Sequence, residues 1–487
     1  MSQNSPHPIE FRFKRVTRYH FYCFGLIFLA KIPAFWHIMS LIFLSPPMSY
    51  SCNSTSEVKD TCPCENPIWD KSVFTKTMQT KYKIVCDRVW LVSFSQSMLY
   101  VGTLIGSCVF GFMSDQYGRL SMYTVSSLCL AIAGCLVSLM PNATSYIIMR
   151  CIEGIGLGGA IVTGYVLLIE YCGPAFRDTV TALYHLPLNI GQVTLAGLSY
   201  LMRDCDIFQI VLSLPIFACL MLWCLLYESP KWLMDNNQVD RALEVIQKIA
   251  KFNGDQSYKD IEFEDSRNDA NQTTSTQSAK TKIVFLQIFK DKTLTLNLLC
   301  MSFVYLVCGM GYYGVSLYIG KMSGDIHLNV AIAGLIIVPG TLSTLIFLKI
   351  LRRRIFLVAT NLLAGLFMIS VICIPSDYKF LIMIFASIGN TFFFMSFITL
   401  FLYSVEIFPT QVRNSVLGVM SMLSRIGQII APPVNALNAM AAGAIFGVLA
   451  IVGAALCYPL PETKNKKLPS TFEESKALRR SGTSNLQ

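Results

Sequence analysis

Gly111-Phe112-Met113-Ser114-Asp115-Gln116-Tyr117-Gly118-Arg119 joins two apolar runs, 91–112 and 122–140, neither of which holds an acid or a base. Each run is long enough for a helix crossing ~30 Å of hydrocarbon, which takes ~20 residues. The charges at this junction return later in the chain at a nearly constant offset. Gly118-Arg119 is echoed by Arg353-Arg354, an offset of 235 (354 − 119). Glu170 and Arg177 are echoed by Glu406 and Arg413, both offset by 236 (406 − 170; 413 − 177). Glu228-Ser229-Pro230-Lys231 is echoed loosely by Glu462-Thr463-Lys464, offset by 234 (462 − 228). Each cluster lies where an apolar run ends, which points to two tandem membrane-crossing halves of equal length. Similar halves in lipid suggest a substrate site between them, reached from one side and then the other.

Bulk composition agrees. Of 487 residues 53% are hydrophobic and only 14% charged, where soluble domains carry about a quarter charged residues. Runs of suitable length number twelve: 20–44, 91–112, 122–140, 146–169, 179–201, 207–227, 294–319, 329–351, 355–374, 379–404, 415–433 and 439–459. The net charge of +10 calls for no nucleic acid. Arg12, Lys14, Arg15 and Arg18 precede the first run, Arg352, Arg353 and Arg354 follow the eighth, and Lys464, Lys466, Lys467, Arg479 and Arg480 follow the last. The positive-inside rule then places both termini in the cytoplasm. The plasma membrane is the expected location. The first run has polar flanks and no small-residue cleavage signal, so it reads as a retained anchor.

Most of the seventeen cysteines lie within the apolar runs, where cysteine packs as a small hydrophobe. Cys52, Cys62, Cys64 and Cys86 fall instead in the polar segment 45–90, the one long outer loop. Two disulfides are expected there, with three pairings open. No histidine accompanies Cys62-Pro63-Cys64, so no metal site is expected. Asn53-Ser54-Thr55 in the same loop is a glycosylation sequon. Segment 228–290 is the central inner loop: 238–253 has helical periodicity, and 266–280, rich in Ser, Thr, Asn and Gln, reads as a disordered linker.

The stretch 111–119 resembles the signature loop of the major facilitator superfamily, and Arg150 to Gly159 is similar to that superfamily's fourth helix. Glycines 154, 156, 158 and 159 follow no strand, so they read as close helix packing and not as a nucleotide turn. More narrowly, Val85-Cys86-Asp87-Arg88-Val89-Trp90-Leu91-Val92, 165–170, Glu228-Ser229-Pro230-Lys231-Trp232-Leu233 and Tyr403-Ser404-Val405-Glu406-Ile407-Phe408-Pro409-Thr410-Gln411-Val412-Arg413-Asn414 resemble the organic cation, organic anion and carnitine transporter family. The cysteine-bearing first outer loop is a further trait of that family. The resemblance implies an all-α membrane protein with twelve transmembrane helices in two six-helix pseudo-symmetric bundles, the major facilitator fold. The expected layout is a cytoplasmic N-terminus (1–19), a first bundle with the outer loop (20–227), a cytoplasmic linker (228–290), a second bundle (291–460) and a cytoplasmic tail (461–487).

Asp115, Arg119, Glu170, Arg177 and Glu228 in the first half, with Arg354, Glu406, Arg413 and Glu462 in the second, are expected to form a cytoplasmic gate. Opposite charges at facing helix ends can pair when the inner side closes and part when it opens. The plainer reading is that they mark helix ends. The second half lacks the glycine and aspartate of 111–119, so the lock is expected to be asymmetric.

Arg425 lies twelve residues beyond Arg413, roughly 18 Å along a helix and near mid-membrane. Lys31 lies at a similar depth in the first run. A base at that depth faces a water-filled cavity or a partner, and two of them favour a substrate bearing a carboxylate. The resemblance points the same way: anion- and carnitine-handling members tend to carry arginine in the eleventh helix, where this chain has Arg425. Tyr312 and Tyr313, which match the family's seventh helix, are candidate ring contacts for the substrate. Gln192 is a candidate polar contact. Glu153 is either an ion-pair partner of Arg150 or a proton or ammonium site. The expected function is alternating-access transport of small organic ions, carboxylate-bearing anions or carnitine-like zwitterions. The alternatives are an organic cation carrier and a transporter-like receptor that no longer translocates. No nucleophile–base set or metal-ligand cluster suggests an enzyme, and no cofactor is called for. The expected partners are the organic ion substrate and the bilayer, with ion coupling left open.

Overall fold

The computed structural model describes residues 17–52, 62, 64, 66–172, 177–254, 287–322, 324–375, 377–464, 466, 469 and 472–476. Its helices in the first half are α1 Arg18–Met39, α2 Leu41–Leu44, α3 Met78–Tyr82, α4 Trp90–Tyr117, α5 Arg119–Ser138, α6 Ala143–Tyr171, α7 Arg177–Leu183, α8 Leu186–Leu201, α9 Cys205–Phe217 and α10 Leu222–Leu225. Two linker helices follow, α11 Pro230–Asp235 and α12 Val239–Asn253. The second half comprises α13 Lys292–Gly320, α14 Ile326–Ile350, α15 Arg353–Cys373, α16 Lys379–Ile407, α17 Thr410–Val434 and α18 Ala439–Cys457.

Eleven helical stretches among the described residues are long and apolar enough to cross a membrane. The twelfth expected crossing, 179–201, is broken into α7 and α8 at Tyr184 and His185. Pro187 explains the break: it cannot donate to the carbonyl of Leu183, and its ring crowds that carbonyl. Leu188 N turns back to His185 O at 3.2 Å, so the Tyr184 carbonyl is left without its helical partner.

The two halves pack by the same rule. In the first, the touching pairs are α4–α6, α5–α6, α5–α9, α1–α8, α1–α9 and α1–α6. In the second they are α14–α16, α15–α16, α15–α18, α13–α17, α13–α18 and α13–α16, the same crossings moved on by six. Between halves, α4 packs on α17 and α8 on α14. A pseudo-twofold rotation exchanges those two contacts. Glycine sets the tightest crossing, α4 on α6. A Cβ on Gly106 would lie 2.0 Å from Ile155 O, and one on Gly158 2.1 Å from Thr103 O, so only glycine permits this backbone approach.

One face gathers the start of α1, the 117–119 turn, α11, α12, the 351–353 turn and Glu462. We call it the terminal face. The opposite loop face carries β1 Tyr50–Ser51 paired antiparallel with β2 Ile68–Trp69 and the disulfides Cys52–Cys64 and Cys62–Cys86. This resolves the three open pairings. Asn53 and the linker 266–280 lie outside the described residues.

Candidate functional site

A cavity of about 610 Å³ lies between the halves and opens to the terminal face past Gly111, Asp115 and Arg119. Its deep wall takes Lys31 from α1, Tyr184 and His185 from the helix break, Tyr312 and Tyr313 from α13, and Arg425 from α17. Lys31 is 6% exposed. Its ammonium donates to the orphaned Tyr184 carbonyl at 2.6 Å and sits 3.1 Å from the Tyr184 ring centroid. The break in the fifth crossing therefore supplies the acceptor that holds a lysine at mid-membrane depth. Arg425 makes one long bond, Nη1 to Gln428 Oε1 at 3.3 Å, and has no carboxylate within 4.0 Å among the described residues.

The rings form a second surface. Tyr312 meets Tyr313 edge-on with centroids 4.9 Å apart and lies 4.6 Å from the Phe394 ring. The Tyr312 hydroxyl reaches Asn189 Oδ1 of the other half at 3.5 Å, and Asn189 Nδ2 donates to Thr341 Oγ1 at 2.8 Å. His185 presents its edge to Phe397 and has a buried Nδ1 without a partner. Sequence reasoning missed His185, although Pro187 two residues on is the signal that could have found it. Asp115 is the sole acid among the lining residues, and it sits at the mouth bonded to Arg119. The deep cavity is thus cationic and aromatic.

Two expected cavity residues are elsewhere. Glu153 is fully buried inside the first half, 3.1 Å from Arg150 Nη1, bonded to His37 Nδ1 and 3.1 Å from Gln209 Nε2. Arg150 also donates to Gln96 Oε1 at 3.0 Å and Ser40 Oγ at 3.1 Å. A compensated internal cluster is the correct description, and Glu153 faces no substrate space. Gln192 is likewise buried and absent from the cavity wall.

The charged clusters at the terminal face are built alike in both halves. Glu228 caps the start of α5, accepting from Arg119 N at 2.8 Å and Leu120 N at 3.0 Å, where a carboxylate complements the helix dipole. Arg119 extends to Glu170 at 3.2 Å and to Asp115. In the second half Glu462 accepts from Arg353 N at 2.9 Å and Arg354 N at 3.3 Å, while Arg353 Nε reaches Glu406 at 3.3 Å. The counterpart of Arg119 is therefore Arg353 and not Arg354, whose guanidinium turns to Tyr458 O at 3.5 Å. The offset becomes 234 (353 − 119), equal to that from Glu228 to Glu462.

Arg413 departs from expectation too, donating to the carbonyls of Phe408 at 3.3 Å and Pro469 at 3.4 Å. The side chain of Arg177 lies outside the described residues. These ion pairs all run within one half, and they stand while the cavity is open beside them. Gly118 has φ +105°, and a Cβ there would meet Glu228 Oε2 at 2.4 Å. Its counterpart Arg352 has φ −70°, so the second half needs no glycine at that turn.

Comparison with known proteins agrees with this architecture. Residues 54–474 match the family model described as sugar (and other) transporter. Solute carrier family 22 member 1 of Oryctolagus cuniculus is 28% identical over 429 residues, spanning 86% of this chain and 75% of the relative. The organic cation transporter protein of Drosophila melanogaster is 30% identical over 420 residues, spanning 85% of this chain and 77% of the relative. Among solved structures, the xylose transporter XylE from E. coli in an inward-open conformation superposes with TM-score 0.67 at 16% identity, covering 94% of this chain and all of XylE. The chain is a multi-pass membrane transporter, not an enzyme, and it belongs to the sugar (and other) transporter family of the major facilitator superfamily, within its organic cation, organic anion and carnitine branch.

Proposed function

We propose that this protein carries small organic anions or carnitine-like zwitterions across the plasma membrane by alternating access. One observation carries the reading: Lys31 of the first half and Arg425 of the second face a single cavity that holds no acid at their depth. An ionised base there needs a compensating charge, and a substrate carboxylate supplies it. The Tyr312–Tyr313–Phe394 surface suits a flat apolar body or an onium group. With the termini cytoplasmic, as the lysine and arginine bias supports, the open mouth faces the cytoplasm. The same aromatic wall favours the second reading, an organic cation carrier, as does the name of the Drosophila relative.

Uptake by cells expressing Arg425→Ala separates the two. An anion carrier loses uptake of labelled carboxylates at normal surface abundance. A cation carrier tolerates the change or gains from it, and that outcome would overturn the proposal.

A further inference from the structure

The cavity is open at the terminal face, so the seam between the halves must be closed at the loop face. The side chain standing in that seam is His327, the second residue of α14 and part of the second half. Its ring lies between two phenylalanines of the first half. Phe43, on α2, is stacked at 5.5 Å with planes 15° apart, and Phe74, from the disulfide-bearing loop, at 5.4 Å and 29°. Tyr200 meets it edge-on at 5.7 Å, and Nε2 lies 3.3 Å from Ser199 Oγ, both at the end of α8. Nδ1 lies 3.3 Å from Asp325 Oδ1 on its own half. All three stacked rings are buried: His327 8%, Phe43 2% and Phe74 4% exposed. Beside them the Ile42 side chain of α2 packs directly on the end of α13, since a Cβ on Gly320 would meet Ile42 Cγ2 at 2.5 Å.

The loop that delivers Phe74 is fastened to the first half alone among the described contacts of its stem. Thr75 N donates to Arg203 O at 3.1 Å, and Cys205 N donates to Lys76 O at 3.0 Å. Lys81 Nζ donates to Asp206 Oδ1 at 2.8 Å and to Ser138 O at 2.6 Å. Phe74 therefore travels with the first half, and His327 travels with the second. Any rotation that opens the loop face must draw the imidazole out from between the rings.

We propose that Phe43, Phe74 and His327 form the loop-face gate of the carrier, so that the cysteine-bearing loop is a moving part of the transport cycle. Phe74 and His327 are positioning residues: they touch no substrate in the cavity and set how readily the opposite side opens. The inference rests on the alternating-access reading above, and its test has readouts that do not need the substrate.

In purified full-length protein, Phe74→Cys with His327→Cys should form a disulfide on mild oxidation, found by peptide mass spectrometry. Cells carrying the pair should then lose nearly all uptake under oxidant and regain it with reductant, while the uptake of each single cysteine variant, whatever its level, should not respond to oxidant. Failure to cross-link would overturn the placement, and full uptake by the cross-linked pair would overturn the gate. The second readout is labelling of Ser97→Cys, at the other contact between the halves, where Ser97 Oγ of α4 donates to Ile429 O of α17 at 2.9 Å. A membrane-impermeant thiol reagent on the loop side should reach it about three- to tenfold faster when Phe74→Ala is added, the factor for losing one ring contact. His327→Phe, which keeps the stack, should stay near the parent rate. Equal rates with and without Phe74 would refute the clasp. Absent wild-type uptake with normal labelling changes would instead count against the proposed function alone.

Discussion

Lys31→Met removes one positive charge from the cavity at nearly constant volume, and two effects can be separated in advance. The first is electrostatic. A substrate carboxylate seated between the halves would lie about 5–6 Å from the ammonium, because that group is already held by the Tyr184 carbonyl at 2.6 Å. At an effective dielectric of ~20 the attraction is about 3 kcal/mol, and water in a cavity open on one side reduces it. Half-saturation for an anionic substrate should therefore rise about ten- to hundredfold, with a smaller change in maximal rate. The second effect is structural. The Tyr184 carbonyl has lost its helical donor to the Pro187 break and would then be buried without a partner, a cost of about 1–3 kcal/mol. Surface abundance should fall modestly, and Lys31→Arg should restore both quantities in large part. The assay is concentration-dependent uptake of a labelled carboxylate, normalised to surface protein by biotinylation. Unchanged half-saturation in Lys31→Met at measurable abundance would refute the reasoning, leaving Lys31 as a pin for the broken helix and nothing more.

Three further outcomes follow from the geometry. Gly158→Ala puts a Cβ 2.1 Å from Thr103 O with no rotamer to relieve it, so α4 and α6 must separate. The loss should be about 2–3 kcal/mol, seen as a lower Tm of detergent-solubilised protein, and an unchanged Tm would contradict the close crossing. Glu228→Gln and Glu462→Gln each discharge a carboxylate capping a helix start, and each should cost about 1–2 kcal/mol by the same measurement; a loss in only one would deny the equivalence of the halves. Non-reducing peptide maps should contain Cys52–Cys64 and Cys62–Cys86 links, and any other pairing would contradict the loop as described.

The crossings were legible because each is a long apolar run with at most two charges, a property of composition that needs no tertiary knowledge. The repeat was legible to within one residue. Arg353 and Arg354 are adjacent and alike, and only the positions of Glu406 and Glu462 in space decide which one mirrors Arg119. The break at Tyr184 and His185 was hidden because hydropathy averages over it, although Pro187 marks it locally. Glu153 was placed in the membrane correctly, but its direction was not readable. His37 and Gln209, which surround it, come from helices far away in sequence. The outer gate was illegible for the same reason: Phe43, Phe74 and His327 share no motif and meet only when the halves do.

The central claim is that the cavity's fixed positive charge selects the substrate. Purified protein in proteoliposomes, offered labelled organic anions, cations and zwitterions with and without a sodium gradient, tests it most directly. Saturable uptake of carboxylate-bearing compounds that quaternary ammonium ions fail to inhibit is the expected result. Saturable uptake confined to cations would contradict the account.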